Sequence, residues 1–413
     1  MKRGVTVPLG IGLAAAGLTV AYAAYDTRRA LVAWIAAYAF VVATVLAATI
    51  LVMTLHVTGA HWWRVLRRVF VAVLGTAPLL PVFFLPIAAS LELVYPWESP
   101  PSDLPRHIER ALAHQRVWNH PQVFLPRALL YLATWTVFAV LLRRADAAYL
   151  KEPSPANARR ERVISAVGLP IVSFTLTFAA FDWVMSLQPG WVSNIFGLYV
   201  FTSGLVSALA VIALGSWLAM RNGLTAGVGP DHFHAVGRLT LMAVILWTYI
   251  AFFQLLLVWV ANLPAEVSFY AMRSRGAWTG MDVVLFLGRF VFPFLILLSR
   301  SLKRSPSFLA AAGIWLVVTT ALDFEWLVVP AGGHALSFAD AAPFVCIFAL
   351  TWAYGAHLVY VRGRAPAARP EVTVDPALED ALRYRSPGAP RTPRSSPRSG
   401  RIRTRSTAAG SLS

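Results

Sequence analysis

The stretch TFAAFDWVMSLQP, residues 177–189, ends a long apolar run with a single carboxylate, Asp182, and its pattern returns as VTTALDFEWLVVP, residues 318–330. Each copy reads Ala, then Phe or Leu, then Asp, then an aromatic. Each also has a proline seven residues beyond the acid, Pro189 after Asp182 and Pro330 after Asp323. The apolar runs before them end alike too, as FAVLLRR at 138–144 and FLILLSR at 294–300. A looser match joins the loops 56–68 and 231–238, where histidines precede arginine. The repeat predicts two four-helix units in parallel orientation.

Composition sets the surroundings of that repeat. Hydrophobic residues fill 58% of the 413 positions and charged residues 13%, too few charges to coat a soluble chain of this length. The class is therefore integral membrane. Crossing ~30 Å of hydrocarbon takes about 20 helical residues. Apolar runs of that length fall at 6–25, 30–56, 67–95, 123–143, 163–186, 193–220, 236–262, 279–299, 307–330 and 338–361. The expected fold is all-α, with ten transmembrane helices arranged as two four-helix bundles, helices 2–5 and 6–9, flanked by helices 1 and 10. The first run follows Met-Lys-Arg as a signal peptide would, but no small-residue cleavage site precedes a soluble domain, so it reads as a retained span.

Cys346 is the one cysteine, which excludes an iron–sulfur cluster, a structural zinc site or a disulfide built from this chain alone. The formal charge is +17, and residues 364–413 hold ten arginines among Pro, Ser, Gly and Ala. The chain thus divides into a polytopic region, 1–362, and an Arg/Pro/Ser-rich tail, 363–413. The tail is expected to be disordered, cytoplasmic and drawn to anionic lipid rather than nucleic acid.

Lys and Arg favour the cytoplasmic side in short loops. The amino terminus and even-numbered loops hold 16 of them and the odd-numbered loops 8, which predicts that both termini are cytoplasmic. Glu92, Asp182, Asp282, Asp323 and Glu325 then fall near the outer helix ends, and His56, His61, Asp231, His232, His234 and His357 near the inner ends. The 95–120 loop, with its Trp, Pro and helix-like IERALAHQ, faces outward as a connector or as a docking surface for a peripheral partner.

An ionised Asp at mid-helix costs about 2.5–3.5 kcal/mol on insertion scales, so such residues face a bundle interior or a wet cavity. Thr175, Asp182 and Ser186 share one helical face and form a polar stripe. Burial favours a neutral carboxyl, the state from which a proton carrier or quinol-proton acceptor works. Asp282 and Arg289 are seven residues apart, on one face and roughly 10 Å apart along the axis, and Arg289 requires an acidic partner or a water path. Asp323 and Glu325 point to opposite faces, and the repeat selects Asp323 for the interior. Bis-histidine haem fails on position, because only His56 and His357 could meet. HVTGAHWWR at 56–64 and DHFHAVGR at 231–238 read either as polar anchors or as points of proton uptake. No phosphate loop is present, since AGGHALSF at 331–338 lacks the lysine and the strand-to-helix context. Proton movement, quinol handling and secondary transport all fit these residues.

FDWVMSLQPGWVSNIFGLYVF, HVTGAHWWRVLRRV, DHFHAVGRLTLMAVILWTYIAFFQLLLVWVANLP, FVFPFLILLSRSLKR and LDFEWLVVP, in the same chain with this spacing, resemble the ActF-type membrane subunits of alternative complex III. These belong to the wider NrfD, or polysulfide reductase membrane subunit, group. The resemblance covers about residues 30–360. It implies ten helices with two four-helix bundles, in the bacterial inner membrane, within a respiratory quinol:cytochrome c oxidoreductase. Separate partner subunits would carry the iron–sulfur clusters and c-type haems, and a second NrfD-like subunit would be the better site of quinol oxidation. This chain itself would bind no cofactor beyond quinol and would take part in proton translocation. Asp182, His56, Asp231, His232 and Asp323 match the family motif positions. Gln188 and Gly190 depart from an acid and a histidine common in relatives, which puts an outer proton exit through that loop in doubt. The alternatives from other classes are a proton-coupled secondary transporter and a purely structural membrane anchor.

Overall fold

A computed structural model describes residues 3–100, 105–225, 227–364 and 376–386. Among the described residues there is no strand, and ten helices are long and apolar enough to cross a membrane. They are α1 (Arg3–Tyr25), α2 (Thr27–Val57), α3 (Arg67–Ala88), α4 (Pro121–Lys151), α5 (Pro155–Leu187), α6 (Phe196–Arg221), α7 (Pro230–Ala261), α8 (Gly276–Leu298), α9 (Pro306–Gly332) and α10 (Phe338–Val361). The chain is an all-α, multi-pass membrane protein.

Several helices outrun the apolar segments that announce them. α5 begins eight residues earlier than its apolar run, at Pro155, which takes the first helical position, where a missing N–H costs nothing. Ser154 caps it by accepting the Asn157 N–H at 3.3 Å. α4 likewise continues to Lys151, and α7 starts at Pro230. These extra turns carry Asp146, Glu161, Asp231 and His232, so the polar ends of the bundles are helical. α3 is broken by a short turn at Ala77–Leu79, where Pro78 and Pro81 remove backbone donors.

Each predicted bundle closes into a ring. α2 packs on α3, α3 on α4, α4 on α5 and α5 on α2, and α6 to α9 close in the same way. The two rings meet through α2 and α6, with α5 touching α6 and α9 touching α2, so the contacts obey an approximate two-fold relation. In their most apolar windows α2 is 94% buried and α6 83%, against 17% for α1. The central pair therefore keeps almost no lipid face. Small residues permit that closeness. A Cβ on Gly204 would lie 2.3 Å from the Ala43 carbonyl oxygen, and Thr44 and Ser207 hydrogen-bond across the seam at 2.5 Å. α1 and α10 pair with each other, Gly12 lying against Leu350, and α10 leans on α2 and α3. The two flanking helices thus share one side of the first bundle.

Part of the tail reading is corrected. Residues 376–386, within the segment expected to be disordered, form the helix Pro376–Leu382 (α11) and a short extension. The reading of 365–375 and 387–413 falls outside the described residues.

Candidate functional site

Asp182 closes the first bundle near the end of α5 and is 1% exposed. Four donors converge on its carboxylate. Trp118 Nε1 reaches Oδ1 at 2.8 Å, Arg127 Nε reaches Oδ2 and Nη2 reaches Oδ1 at 3.0 Å each, and the Tyr131 hydroxyl reaches Oδ2 at 3.1 Å. The Arg127 guanidinium also lies over the Trp118 ring, 4.0 Å from its centroid. A bidentate arginine and two further donors thus hold the carboxylate. The polar stripe does not feed it. Ser186 donates to the Asp182 carbonyl, and Thr175 accepts from Trp135 Nε1 at 2.9 Å.

The second bundle repeats the arrangement with deeper burial. Asp323 is paired with Arg289, accepts the Tyr199 hydroxyl at 2.5 Å and accepts the Ser203 hydroxyl at 2.7 Å. Arg289 also donates to Ser203 Oγ at 2.7 Å and lies 4.0 Å from the Trp247 ring centroid. Both Arg289 and Asp323 are 0% exposed. The acidic partner of Arg289 is therefore Asp323. Asp282 is exposed, and the face-sharing expected of Asp282 and Arg289 is corrected: a π-helical segment, Phe286–Val291, widens the turn between them and rotates Arg289 inward. Glu325 takes the opposite face of α9 as expected, buried with its Oε1 unpartnered among the described residues.

Each centre therefore combines an Asp from the last helix of its bundle, an Arg from the helix before, a Tyr donor and a Trp under the guanidinium. The Asp pairing was visible in the sequence, whereas Arg127 was missed. It lies in the second turn of α4, and its family-independent signal is only an arginine just inside an apolar run.

At the opposite ends of the same helices, His56 Nδ1 bonds Ser165 Oγ at 2.8 Å, and Nε2 lies 3.8 Å from Glu161. Glu161 receives Arg64 at 3.2 Å and Arg67 at 2.8 Å, and Arg67 also pairs with Asp146. Both guanidinium groups stand over the Tyr149 ring, at 4.2 and 4.9 Å. Asp146 and Glu161 lie outside the apolar runs 123–143 and 163–186, because hydropathy ends before the helix does, whereas Arg64 does lie in the turn between α2 and α3. From Ser165 to Asp182 is 182 − 165 = 17 residues, about 26 Å of helix. Along it the hydroxyls of Ser173, Thr175 and Thr177 donate to their own backbone. His56 and Asp182 are thus two separate polar ends.

In the second bundle Asp231 binds Arg304 at 2.7 Å and the Ser386 hydroxyl at 2.5 Å. His232 accepts the Gly229 N–H at Nδ1, 3.0 Å, and bonds the Ala381 carbonyl through Nε2 at 2.8 Å. His357 is exposed on α10. A linker residue, Arg273, ties the Asp182 ends together: it donates to the carbonyls of Trp326 at 3.0 Å and Leu327 at 2.5 Å, and to Gln188 Oε1 at 3.0 Å. Burial pushes its guanidinium down to about 9. Gln188, noted as a departure, is thus an acceptor for a buried cation.

No family model matches the chain, and no curated protein matches it. Fold and site together define an all-α, multi-pass membrane protein of two related four-helix bundles, each holding a buried Asp–Arg centre.

Proposed function

We propose that this chain is an integral subunit of a membrane quinol:electron-acceptor oxidoreductase of the alternative complex III type, supplying helical scaffold and a proton-handling acid in each bundle. It sits in a bacterial inner membrane with both termini cytoplasmic. Iron–sulfur, multihaem cytochrome c and second NrfD-like subunits complete the assembly, and quinol is oxidised outside this chain. The motif resemblance supports the identity of the complex. The observation that carries the proton role is the repeated Asp–Arg–Tyr centre at the same end of both bundles, a costly arrangement that a plain anchor does not require.

The chemistry follows from the geometry at Asp182. A proton delivered to the carboxylate neutralises it and releases Arg127, whose guanidinium already stacks on Trp118. Return of the arginine expels the proton. Asp182 offers quinol no spare acceptor while its four donors are in place, which favours proton handling over quinol binding here.

Purification from native membranes tests the assembly. Co-isolation with iron–sulfur and c-haem subunits supports the reading, and a lone chain that moves solute in proteoliposomes overturns it in favour of a transporter. Within an isolated complex, Asp182→Asn is expected to lower proton release per quinol oxidised. Unchanged turnover and proton release would leave a structural anchor.

A further inference from the structure

Residues 376–386 are held by specific contacts at the His56 end of the bundles. α11 packs on the turn Trp62–Val65 between α2 and α3, and Ala381 and Ser386 are buried. Gly227, with φ at +75°, leaves room for Leu382: a Cβ there would lie 2.2 Å from Leu382 Cδ2. The Tyr384 ring lies between Trp62 and His232, with centroids at 6.3 and 6.0 Å. Asp380 lies 3.5 Å from His61 across the same surface.

The polar contacts fix the register. His232 Nδ1 accepts a backbone N–H, so the ring proton sits on Nε2 and is donated to the Ala381 carbonyl. Asp231 Oδ1 accepts the Ser386 hydroxyl, the Ser386 N–H at 3.3 Å and Arg304. Asp231 Oδ1 and both ring nitrogens of His232, at the start of α7, are thereby occupied, each residue by the same eleven-residue peptide and a neighbouring group.

We infer that residues 376–386 are a releasable cap, seated in a groove formed by the α2–α3 turn, Gly227 and the start of α7, which withholds Asp231 and His232 from solvent while it is docked. Ser386 is its latch. A seven-residue helix has no stability of its own, so the cap stays helical only while these contacts hold. The latch is sensitive to charge, because an anionic group at 386 would face the Asp231 carboxylate. The groove belongs to this chain whether or not it assembles with redox partners, so the cap stands independently of the proposed function.

Carbethoxylation of histidines by diethyl pyrocarbonate, read by mass spectrometry on the purified full-length protein, tests it. His232 is expected to be protected in the intact chain and in a chain ending at residue 395, which keeps the terminal carboxylate away from Asp231. It should react about fivefold faster or more in a chain ending at residue 364 and in Ser386→Glu. His56, bonded to Ser165 inside the first bundle, reports on the fold and should not change. If the truncated chain also exposes His56, Ser386→Glu and Ser386→Thr decide, with only the glutamate accelerating His232. Equal His232 rates in the intact chain and in Ser386→Glu would overturn the cap, as would full reactivity in the chain ending at residue 395.

Discussion

Arg127 grips Asp182 with two nitrogens, Nε on Oδ2 and Nη2 on Oδ1, each at 3.0 Å, from the helix preceding the acid. Removing one partner leaves a buried carboxylate uncompensated, which costs about 3–5 kcal/mol, whereas replacing both with apolar groups is often neutral. Arg127→Ala is expected to lower the thermal midpoint in detergent sharply, and Arg127→Met with Asp182→Leu to recover most of it. Arg127→Lys should not substitute, because an ammonium loses both the fork and the stacking on Trp118.

The second centre is expected to be less forgiving. Arg127 is 14% exposed and can turn toward water when its acid is removed, but Arg289 is 0% exposed with a Trp247 ring beneath it. Asp323→Ala should therefore destabilise more than Asp182→Ala. Equal midpoints for the two variants would show that the depth difference has no energetic weight.

The seam between the bundles makes a steric prediction. Gly204→Ala places a Cβ against backbone, 2.3 Å from the Ala43 oxygen, so α2 and α6 must separate. Overpacking of this kind costs about 1–3 kcal/mol. Gly355→Ala is the control, since its Cβ meets only Thr76 Cγ2 at 3.5 Å, and it should leave the midpoint unchanged. Unfolding curves of the two variants compare them directly.

Why some of this was legible in sequence and some was not follows from the physics of each signal. Hydropathy reports the lipid-crossing portion of a helix, so all ten spans were visible while the charged extensions holding Asp146, Glu161 and Asp231 read as loops. The Asp182 and Asp323 echo survived because both acids end equivalent helices. Asp282 was misplaced because the seven-residue spacing assumes regular α geometry, and the π segment at Phe286–Val291 has no sequence signature in apolar FLGRFV. The cap was hidden because composition averages PALEDALRYRS, 376–386, into an arginine-rich tail. Its partners, Gly227 and His232, lie some 150 residues earlier, beyond the reach of any local pattern.

The turn between α9 and α10 gives a pH prediction. His334 has its Nε2 buried and unpartnered among the described residues, and burial first, then the nearby Arg29 charge, hold its pKa below the ordinary histidine value. The folded state therefore takes up a proton less readily than the unfolded chain, whose histidine titrates near ~6.5. Stability from this residue is complete above that value and is lost as pH falls through it toward the folded pKa. Between about pH 7.5 and pH 5, above the range of most exposed carboxylates, the thermal midpoint of the native protein should fall more steeply than that of His334→Gln. Parallel pH profiles for the two proteins would mean that protonation of His334 does not oppose folding.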